Sequence, residues 1–193
     1  MKLTPTLIAL VAAGLFSGTS FALSKEEVKA EKERIAAEHK AAKAQCDALS
    51  GNAKDVCVKQ ADGNEKVAKA ELDAREKPSE KANYKARLAR AEADFDVAKE
   101  KCDDLSGNPK DVCKKQAEAD FTRAKENAKV AKSIEAPAGS LTEKAANVSE
   151  ARKDAAAEKN EADYKVAKEK CDALSGDLKD KCINDAKLRF GQK

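Results

Sequence analysis

Apolar positions recur at alternating intervals of four and three on an otherwise charged background. Upstream of Cys102 they are Tyr84, Leu88, Ala91, Phe95 and Ala98, and Leu105 follows in the same register. The same register around Cys46 gives Val28, Ile35, His39, Ala42 and Leu49, with Lys32 interrupting it. Around Cys171 it keeps Tyr164, Ala167 and Leu174, and Asn160 weakens it further upstream. Four-and-three spacing with charge elsewhere is the narrow seam of a helix that pairs with another helix. The chain is therefore expected to be all-α.

The seam is repeated because the chain is repeated. CDALSGNAKDVC (46–57), CDDLSGNPKDVC (102–113) and CDALSGDLKDKC (171–182) are three copies of one unit. Gly51, Gly107 and Gly176 each fall where a left-handed residue stops a helix. Asn52, Asn108 and Asp177 follow as expected N-caps, and Pro109 suits a first helical position, where a missing N–H costs nothing. Ser24 with Glu27, and Ser140 with Glu143, read as capping boxes, and Leu23 with Val28 as a hydrophobic staple. Six helices are predicted, at 24–50, 52–76, 79–106, 108–133, 141–175 and 177–190, with Pro78 separating the second from the third. They form three antiparallel αα-hairpins, elongated or loosely bundled: 23–77, 78–133 and 141–193, with 134–140 as a linker.

Within each copy the two cysteines stand at equal distances on either side of the turn, so antiparallel helices bring them face to face. Alanine lies four residues before the first cysteine (Ala42, Ala98, Ala167) and four after the second (Ala61, Ala117, Ala186). Small neighbours let the axes approach closely enough for a bridge, which needs Cα atoms within about 7 Å. The expected disulfides are Cys46–Cys57, Cys102–Cys113 and Cys171–Cys182.

Residues 1–22 are expected to be a signal peptide. A short basic start precedes the apolar stretch LTPTLIALVAAGLF, and Ser20 and Ala22 supply small residues for cleavage after Ala22. The apolar stretch is too short for a transmembrane helix, so no transmembrane segment is expected in the mature chain. An exported chain meets an oxidising compartment, which agrees with paired cysteines. The expected location is the periplasm.

Composition narrows the picture further. Charged residues make up 38%, aromatics 4%, and tryptophan is absent, so a thick single core cannot be built. Residues 1–22 hold one lysine and no acid, so their removal lowers the net charge from +3 to +2. A balance so close to neutral gives no reason to expect nucleic acid as a partner.

The candidate chemistry is sparse. Structural zinc needs four ligands in closely spaced pairs, and the chain has no C-x-x-C and one histidine, His39. A thiol oxidoreductase would want C-x-x-C beside a βαβ pattern, and neither is present. The ring positions one layer below the bridges pair Phe95 with Phe121 and Tyr164 with Phe190. In the first copy the corresponding residues are His39 and Glu65, which are expected to form a polar pair. Across each turn Lys54, Lys110 and Lys179 face Asp47, Asp103 and Asp172 as exposed ion pairs. No paired-carboxylate, Ser-His-Asp, Cys-His or phosphate-loop pattern is visible. The chain is expected to be no enzyme and to need no metal or cofactor.

The exported Ala/Lys/Glu-rich start, the C-D-x-L-S-G-x-x-K-D-x-C units and the ending AKLRFGQK resemble a group of small proteobacterial exported proteins with no established activity. In composition the chain is also similar to the long helical middle domain of the envelope protein TolA. These resemblances imply a periplasmic, non-enzymatic role in the cell envelope, structural or binding, with envelope proteins as partners. The alternative is a periplasmic holdase acting on unfolded clients, or a stress- and desiccation-protective protein.

Overall fold

The computed structural model describes residues 23–192, so the expected signal peptide lies outside the described residues. Six helices follow in order: α1 Lys25–Cys46, α2 Gly51–Glu76, α3 Glu80–Lys101, α4 Gly107–Glu135, α5 Leu141–Cys171 and α6 Gly176–Phe190. A 3-10 turn, Cys102–Asp104, extends α3. Among the described residues there is no strand.

Three bridges staple the hairpins α1–α2, α3–α4 and α5–α6: Cys46–Cys57, Cys102–Cys113 and Cys171–Cys182, with Cα separations of 5.5, 5.6 and 5.7 Å. Cys46, Cys102 and Cys171 are fully buried, and Ala61, Ala117 and Ala186 are buried beside them. The near-identical separations show one repeated geometry.

The turns are tighter than the sequence predicts. The first helices stop at or just after their cysteines instead of running on to residues 50, 106 and 175. The amide of each turn leucine donates to the cysteine carbonyl three residues back, at 3.0 Å for Leu49 and Leu105 and 2.9 Å for Leu174. Those short bonds tighten the last turn and end it. Gly51, Gly107 and Gly176 do adopt left-handed φ values of 57°, 60° and 55°, but as the first residue of the second helix. Ser50, Ser106 and Ser175 therefore occupy the N-cap positions, in extended conformation.

Asn52 and Asn108 are thus not caps. The Asn52 amide donates to the Glu100 carbonyl at 3.1 Å, and the Asn108 amide to the Glu169 carbonyl at 2.9 Å. Both acceptors stand two residues before the first cysteine of the next hairpin. The repeated asparagine ties each hairpin to its successor, adding a second donor to a C-terminal carbonyl that also accepts from the backbone at the end of its own helix. The third copy carries Asp177, an acceptor, at the same position.

Elsewhere the caps follow the sequence closely. Ser24 and Glu27 form the reciprocal capping box, and Leu23 packs on the cluster of Val28, Ile35 and Leu72. Ser140 accepts from the Glu143 amide at 3.1 Å, while the Glu143 carboxylate takes the Gly139 amide, one residue beyond the expected box. Ser79 caps α3 by accepting from the Ala82 amide at 3.1 Å.

Each helix packs mainly on its neighbours in the chain, and the hairpins meet through α2–α3 and α4–α5. Small residues make these junctions. Gly63 approaches Ala93 so closely that a Cβ at position 63 would lie 2.8 Å from the Ala93 Cβ. Ala119 packs on Ala162 and Val166 at the equivalent junction of the next pair. Position 188, equivalent to 63 and 119, is a leucine with 82% exposure, and among the described residues no further helix packs on that face of α6. Successive units that contact only their neighbours form a quasi-one-dimensional array.

Gly63→Ala is expected to destabilise despite alanine's better helix propensity, worth about 1 kcal/mol. The opposing atom is a Cβ fixed to helix backbone, so relief requires the hairpins to separate, at a cost of roughly 1–3 kcal/mol. A lower urea midpoint with unchanged slope checks this; a raised midpoint would show that the α2–α3 junction yields freely.

Candidate functional site

The residues with chemical potential fall at three levels of each hairpin: the turn, the bridge, and the layer below the bridge. At the turns, Lys54 pairs with Asp47 at 2.9 Å and Lys179 with Asp172 at 2.8 Å. Asp103 receives both Lys110 and Lys114 at 2.9 Å, and these two ammonium groups hold its carboxyl below the usual range. Each aspartate lies near the C-terminal end of its helix, where negative charge is unfavourable, and the lysine across the turn offsets it.

At the bridges all six cysteines are oxidised, so none is available as nucleophile or ligand. Among the described residues, no set of three His, Cys, Asp or Glu side chains is placed to hold a metal ion.

Below the first bridge, His39 of α1 faces two carboxylates of α2. Its Nδ1 lies 3.6 Å from Glu65 Oε2, and its Nε2–H donates to Asp62 Oδ1 at 2.7 Å. Lys43 also reaches Asp62, at 3.2 Å. The hydrogen bond from His39, with Lys43 behind it, holds the Asp62 carboxyl below its ordinary value. Asp62 is a partner that the sequence reading missed. It precedes Glu65 by three residues on the same helical face, so helical spacing was the signal that could have found it. The arrangement orients and neutralises a surface ring; it does not converge on an enclosed space.

The same layer differs in the other hairpins. Phe95 and Phe121 stack with centroids 5.2 Å apart, and Lys99 lies over the Phe95 ring at 5.8 Å. A groove of about 270 Å³ runs beside them, flanked by Asp94 and Asp120. Tyr164 and Phe190 do not form the expected ring pair: Phe95–Phe121 is the close pair among the described residues. Phe190 is the last residue of α6, ended by left-handed Gly191, and the Arg189 guanidinium covers its ring at 5.4 Å. There the groove is larger, about 660 Å³, and is lined by parts of α4, α5 and α6.

The chain matches no family model, no curated protein and no solved structure. Its functional reading therefore rests on its own geometry. No helix among the described residues is long and apolar enough to cross a membrane.

Charge networks hold the lower half of the molecule. Glu31 of α1 bonds to Arg34 on its own helix and to Arg75 of α2, at 2.7 and 2.8 Å, and the two guanidinium groups hold its carboxyl down from 4.5 to about 2. A depressed carboxyl stabilises the fold above its unfolded-state pKa and loses that contribution as pH falls through the folded value. The α1–α2 contact is thus expected to weaken as pH drops from about 4.5 towards about 2. Glu31→Gln should flatten the acid limb of the stability curve in that window; an unchanged limb would mean the network adds nothing.

Proposed function

We propose that this chain is a non-enzymatic helical repeat protein of the cell envelope with a structural or binding role. The observation that supports this reading is that the repeated residues maintain an array. The cysteines staple each hairpin, Asn52 and Asn108 join successive hairpins, and the lysine–aspartate pairs close the turns. Three bridges fit an oxidising compartment, and hence export to the periplasm. Repeat arrays of this kind offer extended surfaces to partners and spend their recurring side chains on shape.

The likeness to TolA in composition belongs to the same proposal and points to envelope proteins as partners. A holdase would instead need an apolar surface broad enough for unfolded clients. The large exposed apolar residues are spread along the chain: Leu49, Leu105 and Leu174 at the three turns, Ile134 at the end of α4, and Leu141, Leu178 and Leu188 on α5 and α6. A stress-protective chain that orders only on drying would not need three staples.

The test is affinity capture from envelope extract with the oxidised mature protein as bait, alongside suppression of client aggregation. Recovery of defined envelope proteins, lost on reduction of the bait, supports the reading. Substoichiometric suppression of aggregation without stable partners would replace it with the holdase reading.

A further inference from the structure

The groove beneath the third bridge has properties that its counterpart in the second hairpin lacks. Its floor is Val166, Ala167, Ala186, Phe190 and the Cys171–Cys182 bridge, and its volume of about 660 Å³ lies within the range of small-molecule sites. The corresponding groove of hairpin two is less than half that size, about 270 Å³, and is lined by the Phe95–Phe121 pair. The third groove is open because α6, 15 residues long, stops at Phe190 beside a 31-residue α5.

The charge at the rim also reverses. Position 120, seven residues beyond the second cysteine, is an aspartate in hairpin two; the equivalent position in hairpin three is Arg189. Among the described residues neither Arg189 nor Lys170, the two rim cations of α5 and α6, has a carboxylate at ion-pair distance. Of the groove's acids, Asp163 is bonded by Arg123, and Asp185 lines the α6 wall without an ion-pair partner among the described residues. Arg189 stands seven residues from Cys182, so about 10 Å of helix, presenting Ala186 and Asp185 to the groove, separates it from the bridge.

A groove with an apolar floor, the Arg189 guanidinium at one end and the closed bridge with Lys170 beside it at the other matches a single-chain amphiphile with an anionic head. We propose that this groove binds a medium-chain carboxylate, with the head at Arg189 and the chain laid over Val166, Ala167 and Ala186 towards the bridge. Arginine suits the head because its planar fork matches a carboxylate, and the alanines leave the room that the chain takes. This deepens the binding role proposed above by naming a ligand class, and it rests on that reading only for its biological meaning.

The test uses oxidised full-length mature protein and three probes of equal chain length: decanoate, decanol and decyltrimethylammonium, followed by calorimetric titration. One saturable site for decanoate, at least tenfold weaker binding of decanol, and no site for the cation are expected. Arg189→Gln, at an exposed position in the last turn, should weaken decanoate at least tenfold without changing helix content or the disulfide map. Equal binding of all three probes, no saturable decanoate binding, or an Arg189→Gln protein that binds as the parent does would each overturn the proposal. Such a failure leaves envelope capture unaffected, so the two readings are tested separately.

Discussion

Reduction of the three bridges is expected to lower the melting temperature by about 20–35 °C. Each bridge closes a loop of about a dozen residues, which contributes roughly 3 kcal/mol by restricting the unfolded chain. Three such contributions approach the whole stability of a typical domain, about 5–15 kcal/mol. For a chain of this size about 1 kcal/mol shifts the melting point by roughly 2–4 °C. The other terms are too thin to compensate. The buried apolar set is mostly alanine and valine, with Ile35 and Leu72 as its large members. The hairpins themselves should open, because the inter-hairpin junctions require both helices of a pair to be in place. Circular dichroism melts with and without reductant measure this; coincident melts would mean that helix packing alone suffices.

The second large effect concerns Glu126, a charged side chain buried in α4. Its side chain is 2% exposed. Lys129 Nζ stands 2.8 Å from Oε1 and Lys125 Nζ 3.8 Å. The nearer ammonium is at hydrogen-bond distance but outside ideal hydrogen-bonding angles, so Oε1 has no well-directed hydrogen bond. The carboxylate in turn keeps the Lys129 ammonium charged, raising its pKa. Removing one partner of a buried pair costs roughly 3–5 kcal/mol. Half of the Lys129 side chain is in water, so screening reduces the expected loss for Lys129→Ala to about 2 kcal/mol. Glu126→Leu should be near neutral or stabilising, since it removes the desolvated charge altogether. In the Glu126→Leu background, Lys129→Ala should then cost almost nothing. Denaturant unfolding of the four proteins closes the cycle; additive losses would show that Glu126 and Lys129 are not coupled.

The hairpins were legible in the sequence, and the way they join was not. Cys46 and Cys57 stand symmetrically about a glycine turn, so antiparallel pairing follows from spacing alone. The apolar seam of α1 and α3 identified the faces turned towards α2 and α4. The faces that join hairpins are built from Gly63, Ala93, Ala119 and Ala162, which carry little hydrophobic signal. Close approach of backbones selects such residues because they are small, and smallness has no periodic signature in a chain this rich in alanine. Asn52 and Asn108 misled for a related reason: an asparagine after glycine is chemically fit to cap a helix, and only the neighbouring hairpin gives its amide another acceptor. Glu126 was invisible because a glutamate on a charged helix reads as solvent-facing. At the candidate site, His39 and Glu65 were identified from the repeat. Asp62, the nearer partner of the ring, was not, since no other copy pairs a ring with a residue at that position.

The most direct test of the stapled-hairpin array is a tryptic peptide map of the oxidised protein without reductant. Lys54, Lys110 and Lys179 lie between the paired cysteines, so trypsin separates the two halves of every unit and leaves them joined only by sulfur. The account predicts three linked species alone: AQCDALSGNAK with DVCVK, CDDLSGNPK with DVCK, and CDALSGDLK with CINDAK. A species linking cysteines of two different units, such as CDDLSGNPK with CINDAK, would contradict it.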